Sequence, residues 1–173
     1  WYSTVSSLVV GDPLDDTTDV SALITQGERD RVKEWVDEAI AQGATVAHGG
    51  ELDEHGVLVP TVLTGATPDM KVCSQEGFGP VVAIATYDDL DDALRVANDT
   101  RYGLQAAIFT NRVADAMHAF QTLDCGGVLV NEVPTWRADQ QPYGGVRDSG
   151  NTREGPAYSV REMTELRMVV LSP

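Results

Sequence analysis

Between residues 81 and 131, apolar runs and helical stripes take turns, and that alternation leaves few folds open. Residues 81–86 form a short apolar run, and Leu90, Ala93, Leu94 and Ala97 then recur at helical spacing. Residues 104–110 are apolar again, Val113, Met117 and Phe120 form a second stripe behind the cap candidate Asn111, and residues 127–131 close the series. Stripes near period 3.6 predict helices, and near-continuous short apolar runs predict strands buried on both faces. The order β-α-β-α-β implies a parallel sheet with helices on both faces and right-handed crossovers. The expected fold class is α/β.

Upstream, Thr25-Gln26-Gly27-Glu28 has the spacing of a capping box, in which the Thr hydroxyl and the Glu carboxylate satisfy free backbone donors. Val32, Val36, Ala39 and Ile40 follow on one face, and Gly43 offers a stop, so residues 26–42 are expected to be helical. Residues 44–48 and 57–63, bracketed by Gly49-Gly50 and Gly65, read as strands joined by a solvated loop. After Asn131 the prolines at 134 and 142 and the glycine-rich stretch 144–150 predict a long irregular segment over residues 132–150. A helix over 153–163 and a strand over 166–171 complete the chain. That last strand has no evident partner, and an apolar edge left open invites association, so pairing with another subunit is expected.

Composition removes several functions. Twelve Lys and Arg against 27 Asp and Glu give a net charge of −15, which repels phosphate backbones and anionic membranes. No apolar run approaches the length of a membrane span, a hydrophobic share of 42% is that of a globular protein, and no secretory pattern follows Trp1. A cytoplasmic protein with no nucleic-acid or membrane partner is expected. Cys73 and Cys125 are too few for a disulfide framework and too far apart for a metal pair. His48, His55 and His118 show no metal spacing, and Asp12, Asp15, Asp16 and Asp19 read as a solvated acidic loop.

Two glycine-containing turns carry the chemistry. In Gln75-Glu76-Gly77-Phe78-Gly79-Pro80, Gly79 permits an unusual backbone angle and Pro80 fixes the entry to a strand. A carboxylate and an aromatic ring are thereby presented at a strand edge. An ionised carboxylate accepts hydrogen bonds from both hydroxyls of a ribose, and a ring packs on a flat group. Taken alone, the turn reads first as a rigid corner with an exposed Glu76 and a core Phe78, since a single Gly-Pro turn is common. The second turn runs Gln141-Pro142-Tyr143-Gly144-Gly145-Val146-Arg147-Asp148-Ser149-Gly150.

Five segments in register widen the view: Gly11-Asp12-Pro13-Leu14, Glu76-Gly77-Phe78-Gly79-Pro80-Val81, residues 98–104, Gly127-Val128-Leu129-Val130-Asn131, and Pro142-Tyr143-Gly144-Gly145 through Ser149-Gly150. In order and spacing they resemble the C-terminal part of the aldehyde dehydrogenase superfamily from end to end. Pro134-Thr135-Trp136-Arg137-Ala138-Asp139, Arg153-Glu154-Gly155 and Glu162-Met163-Thr164-Glu165 look most like the lactaldehyde/glycolaldehyde dehydrogenase-like branch, which oxidises small hydroxylated or anionic aldehydes. The text departs from the family's usual one at Ser21-Ala22, at Gly77 and at Thr152.

The resemblance implies part of a Rossmann-like catalytic domain over residues 1–152, with a substrate-mouth loop at 132–150, and a helix and oligomerisation strand over 153–173. It implies NAD or NADP as cofactor and a homo-oligomer that turns a small aldehyde into its acid. A Cys thiolate would form a thiohemiacetal and then a thioester, which a Glu-activated water releases. Glu76 would hold the nicotinamide ribose and Phe78 the nicotinamide region. Tyr143 would line the aldehyde tunnel, with Trp136 and Arg137 on the loop at its mouth. The Arg137 fork suits a carboxylate, a phosphonate or a hydroxyl, and equally a bridge to Asp139 or another acid, while the Trp136 ring suits packing more than recognition.

By the same resemblance, the nucleophilic Cys, the oxyanion Asn and the general-base Glu lie upstream of this chain, so none of its residues is expected to be catalytic and no metal is implied. Cys73 has only Lys71 as a nearby cation, and Cys125 suits packing before a strand. The isolated chain is expected to be inactive. The alternative is a non-catalytic assembly module, and a nicotinamide-binding module without chemistry is a weaker third reading.

Overall fold

The computed structural model describes residues 2–173, which divide into two units, one up to Tyr87 and one from Asp88 onward. In the first, a short helix α1 (Tyr2–Val5) precedes α2 (Gln26–Ala41), β1 (Thr45–His48), β2 (Thr61–Thr64), a single turn of helix α3 (Lys71–Ser74) and β3 (Val81–Ile84). In the second, α4 (Leu90–Asn98), β4 (Gln105–Ile108), α5 (Val113–Thr122), β5 (Gly127–Val130) and α6 (Pro156–Glu162) follow in turn.

Helix α2 begins where local chemistry predicts. The Thr25 hydroxyl accepts a hydrogen bond from the Glu28 amide at 3.2 Å. The reciprocal half of the box is used otherwise, because the Glu28 carboxylate pairs with Arg31 at 2.5 Å. Gly43 lies at φ +110, a left-handed residue just past the helix end. Val32, Val36 and Ala39 are buried, whereas Ile40 stands at the margin, 39% exposed. Val36 and Ala39 pack with Ala44, Leu63 and Met70, and Val46, Ala66, Val72 and Val81 lean on them to form the core of this unit.

The strands pair otherwise than the alternation implies. β2 lies between β1, antiparallel with Thr45 opposite Thr64, and β3, parallel with Thr61 opposite Val81. β4 and β5 form a separate parallel pair, Gln105 opposite Gly127 through Ile108 opposite Val130. The α/β class stands, and within its own unit β3 finds its parallel partner in β2, a strand that lies upstream of the 81–131 alternation. Alternation dictates which segments are strands and leaves open which edges meet.

The second unit buries little. Leu94 and Ala119 are its buried apolar side chains, and β4 is half-buried throughout. Val113, Met117 and Phe120, expected to face a core, are largely exposed at 78%, 48% and 62%. The stripe exists, but no described residue covers it. Asn111 does not cap α5 either: Arg112 holds the cap position without a side-chain bond. By contrast Asp89, unnoticed in the sequence, caps α4 by accepting from the amides of Asp91 and Asp92.

Residues 164–173 carry no strand. Leu166, Met168, Val169, Val170 and Leu171 are at least 75% exposed. A strand is defined by its ladder, and within the described residues this segment has no partner. The acidic loop holds two side-chain-to-backbone turns, Asp12 accepting from the Leu14 amide and Asp15 from that of Thr17, and is closed by Asp19, which accepts from the Val9 amide.

The burial pattern predicts an asymmetry in urea unfolding followed by circular dichroism. Leu63→Ala should cost about 2–5 kcal/mol because Leu63 is wholly buried. Leu166→Ala, at a fully exposed position, should leave the midpoint unchanged.

Candidate functional site

In the first unit the Glu76 to Pro80 turn is held from two sides. The Gly79 amide donates to the Gly77 carbonyl at 2.7 Å and the Val81 amide to the Gly79 carbonyl at 2.8 Å, two successive three-residue turns centred on Phe78 and Pro80. The Thr61 amide, at the start of β2, donates to the Pro80 carbonyl at 2.7 Å and so carries the sheet up to the turn. Beneath lies α2: a Cβ at Gly79 would stand 3.0 Å from Val32, and one at Gly77 would touch the Trp35 ring at 3.8 Å. Arg31 stacks on that ring with its guanidinium carbon 4.4 Å from the centroid.

The small size of Gly79, and not a left-handed angle, is therefore what the turn uses, since Gly79 is absent from the residues at positive φ. Gly77 likewise keeps an ordinary backbone. Phe78 is 72% exposed and Glu76 is exposed, which removes the reading of Phe78 as a core residue. An acceptor carboxylate and a bare ring face outward from one corner, an acceptor for the hydroxyls of a ribose diol and a surface for a flat heterocycle.

In the second unit the loop after β5 turns sharply at Asn131, a non-glycine residue at φ +59. Its side-chain amide donates to the Thr110 carbonyl at 2.9 Å and its carbonyl oxygen accepts from the Thr110 amide at 2.8 Å, continuing the ladder for one more rung. The loop then returns onto the sheet. Tyr143 and Glu154 exchange backbone hydrogen bonds as an isolated antiparallel bridge. Gly144 fits only without a side chain, because a Cβ there would strike the Thr152 carbonyl oxygen, and one at Gly126 would strike the Gly144 carbonyl oxygen.

Two arginines brace this arrangement. Arg147, at φ +55, donates to the carbonyls of Asn98 at 2.9 Å, of Asp124 at 2.6 Å and of Thr100. Arg153 donates to the Gly145 carbonyl at 2.7 Å. The Gly103 carbonyl accepts from both the Gly126 and the Val146 amides at 3.0 Å, which ties the entry of β5 to the loop. A cleft of about 190 Å³ remains between the two, lined by Gln105, residues 126–129 and residues 141–144.

Tyr143 is half-buried and lines that cleft. Over its ring lies Arg137, guanidinium carbon 4.5 Å from the centroid, and Arg137 Nη2 approaches Glu154 Oε2 at 3.0 Å. Of the two expectations for Arg137, the acid partner exists, and it is Glu154 and not Asp139. Trp136 is 44% exposed, in a turn closed by its amide on the Val133 carbonyl, so it does not pack into a core. Glu76 and Phe78 belong to the first unit; Trp136, Arg137 and Tyr143 belong to the second. Sequence reasoning assigned no role to Trp35, Arg147 or Glu154; the Arg153-Glu154-Gly155 motif marked Glu154 without revealing its partner.

Neither cysteine is activated. Partial desolvation, then the Asp69 carboxylate, push the Cys73 thiol up. Burial pushes the Cys125 thiol up, partly offset by backbone hydrogen bonds to Gly127 and Ala106 and by the Arg147 charge. A nucleophile needs the opposite shift. Among the described residues no group of three or more His, Cys, Asp and Glu side chains is placed to hold a metal ion, and no helix is long and apolar enough to cross a membrane.

The aldehyde dehydrogenase family model matches residues 2–169. The chain belongs to the aldehyde dehydrogenase family. It is 49% identical over 165 residues to the 3-sulfolactaldehyde dehydrogenase of Priestia aryabhattai, covering 95% of this chain and 34% of that protein. Aldehyde dehydrogenase 21 from Physcomitrella patens, solved with its reaction product succinate, superposes with a TM-score of 0.91 at 36% identity, covering 95% of this chain and 34% of that one. Glyceraldehyde-3-phosphate dehydrogenase GapN from Methanocaldococcus jannaschii, solved with NADP, gives 0.93 at 35% identity, over 99% of this chain and 37% of that one. The chain thus spans about a third of the length of the relatives it matches.

The raised thiol values predict slow alkylation. Iodoacetamide should modify Cys73 and Cys125 more slowly at neutral pH than free cysteine, with rates rising toward a midpoint above the ordinary thiol value. Mass spectrometry of Cys73→Ser and Cys125→Ser separates the two, and a midpoint below that value at either would contradict the assignment.

Proposed function

We propose that the chain forms part of an NAD(P)-dependent aldehyde dehydrogenase that oxidises a small hydroxylated or anionic aldehyde to its acid. The observation that carries this reading is the Arg137 guanidinium, stacked on the ring of Tyr143, which itself lines a cleft. A planar fork in that position receives a sulfonate, carboxylate or phosphonate through paired N–H donors, or a hydroxyl through one. Relatives named for sulfolactaldehyde and glyceraldehyde 3-phosphate, and one solved with its reaction product succinate, support a substrate of this kind.

On the cofactor side, Glu76 would accept from the nicotinamide ribose hydroxyls and Phe78 would lie against the nicotinamide region. Both side chains fit this use because both point out from a corner braced by β2 and α2. The nicotinamide group, when bound, takes up the hydride of the oxidised aldehyde. What this chain's residues do is orient: Glu76 and Phe78 the cofactor, Trp136, Arg137 and Tyr143 the aldehyde. The nucleophilic Cys, the oxyanion Asn and the general-base Glu lie outside this chain in this reading, with residues 1–152 contributing catalytic-domain walls and 153–173 serving assembly in the cytoplasm.

The isolated chain should then produce no NADH or NADPH at 340 nm from lactaldehyde or glycolaldehyde. Turnover that disappears in Cys73→Ser would overturn the claim that the nucleophile lies elsewhere.

A second reading, an assembly module without chemistry, is favoured by the exposed apolar run from Leu166 to Leu171. In either case the chain should self-associate through this run. Light scattering should show a smaller species after removal of residues 164–173, and a monomer both before and after would sink the assembly role.

A further inference from the structure

Arg137 does not stand alone at the mouth. The two-residue bridge between Tyr143 and Glu154 sets their side chains beside each other, and Arg137 spans both, ring on one side and carboxylate on the other. Glu154 is fixed from behind by Gly155, whose φ of +112 and lack of a Cβ let the backbone pass close to the Gln141 carbonyl. Nη2 of the guanidinium faces Glu154 as an ion pair, and no acceptor among the described residues takes a hydrogen bond from Arg137, so its donors are open to a ligand.

We infer that Glu154 is a specificity-determining residue: its carboxylate, beside the Arg137 guanidinium, weakens the mouth's hold on anions and adapts it to a hydroxyl group. This rests on the substrate-mouth reading above. A hydroxyl accepts from Arg137 and donates to Glu154, so both partners stay satisfied. A sulfonate or carboxylate accepts from Arg137 but has nothing to give Glu154, and two like charges then share one cation. The ring of Tyr143 keeps the guanidinium in place whichever group arrives, so the carboxylate acts on affinity more than on orientation. The pair is partly exposed, at 43% and 60%, which keeps the effect modest.

The test titrates the 15N-labelled 173-residue chain with sodium methanesulfonate and, separately, with uncharged dimethyl sulfone, at constant ionic strength. The readouts are the Arg137 side-chain Nε–H and Tyr143 amide signals. In Glu154→Gln, methanesulfonate affinity should rise roughly two- to fivefold while that for dimethyl sulfone stays the same. Glu154→Ala should show the same rise, which guards against an effect peculiar to the amide, and Arg137→Gln should abolish the response. If the wild-type chain responds at Arg137 but both Glu154 variants bind methanesulfonate no more tightly, the role given to Glu154 is wrong and the mouth reading stands. If methanesulfonate moves neither signal in the wild-type chain or in either Glu154 variant, Arg137 is not the anion contact and both fall.

Discussion

Backbone lies directly on backbone where the loop after β5 returns to the sheet, and the second unit depends on that contact. The carbonyl of Gly144 occupies the space a side chain at Gly126 would need, and the carbonyl of Thr152 occupies the space beside Gly144. Such approaches leave no room for adjustment, so the loop is placed to within a fraction of a side-chain radius. Arg147 and Arg153 then donate to the carbonyls of Asn98, Asp124 and Gly145 around this contact. Tyr143 inherits its position from this frame, and Arg137 stacks on its ring.

The first unit reaches rigidity by a different route. A buried α2 face, the three-stranded sheet and Met70 supply an apolar core, and the corner that bears Glu76 and Phe78 is pinned between that core and β2. The second unit has few buried apolar side chains and relies on polar struts. The uncovered stripe on α5 and the half-buried β4 fit a chain that spans a third of the length of its relatives: their apolar periodicity is that of surfaces made to be covered.

What could be read from the sequence was local. Thr25, three residues before Glu28, announces a helix start because a hydroxyl and an amide that close in sequence meet without help from the fold. The strands announce themselves through apolar runs, but the pairing of β3 with β2 depends on which edges meet, which alternation does not encode. Asn111 failed as a cap for a related reason, since its neighbour Arg112 takes the extended conformation at that position. For the site, the family motifs singled out Glu76, Phe78 and Tyr143 as candidates. The partner of Arg137 was not legible, because an arginine in so acidic a chain has many acids to choose from and only the backbone bridge at Tyr143 selects Glu154.

The apolar run at the end of the chain hangs from a body carrying 15 net negative charges. Two such bodies repel at long range, while the run attracts only on contact, so any pairing through it must first cross an electrostatic barrier. Salt shortens the repulsion to about 8 Å at physiological ionic strength and leaves the apolar attraction intact. The chain should therefore stay apart in dilute buffer and come together as salt is added, the reverse of an assembly held by ion pairs.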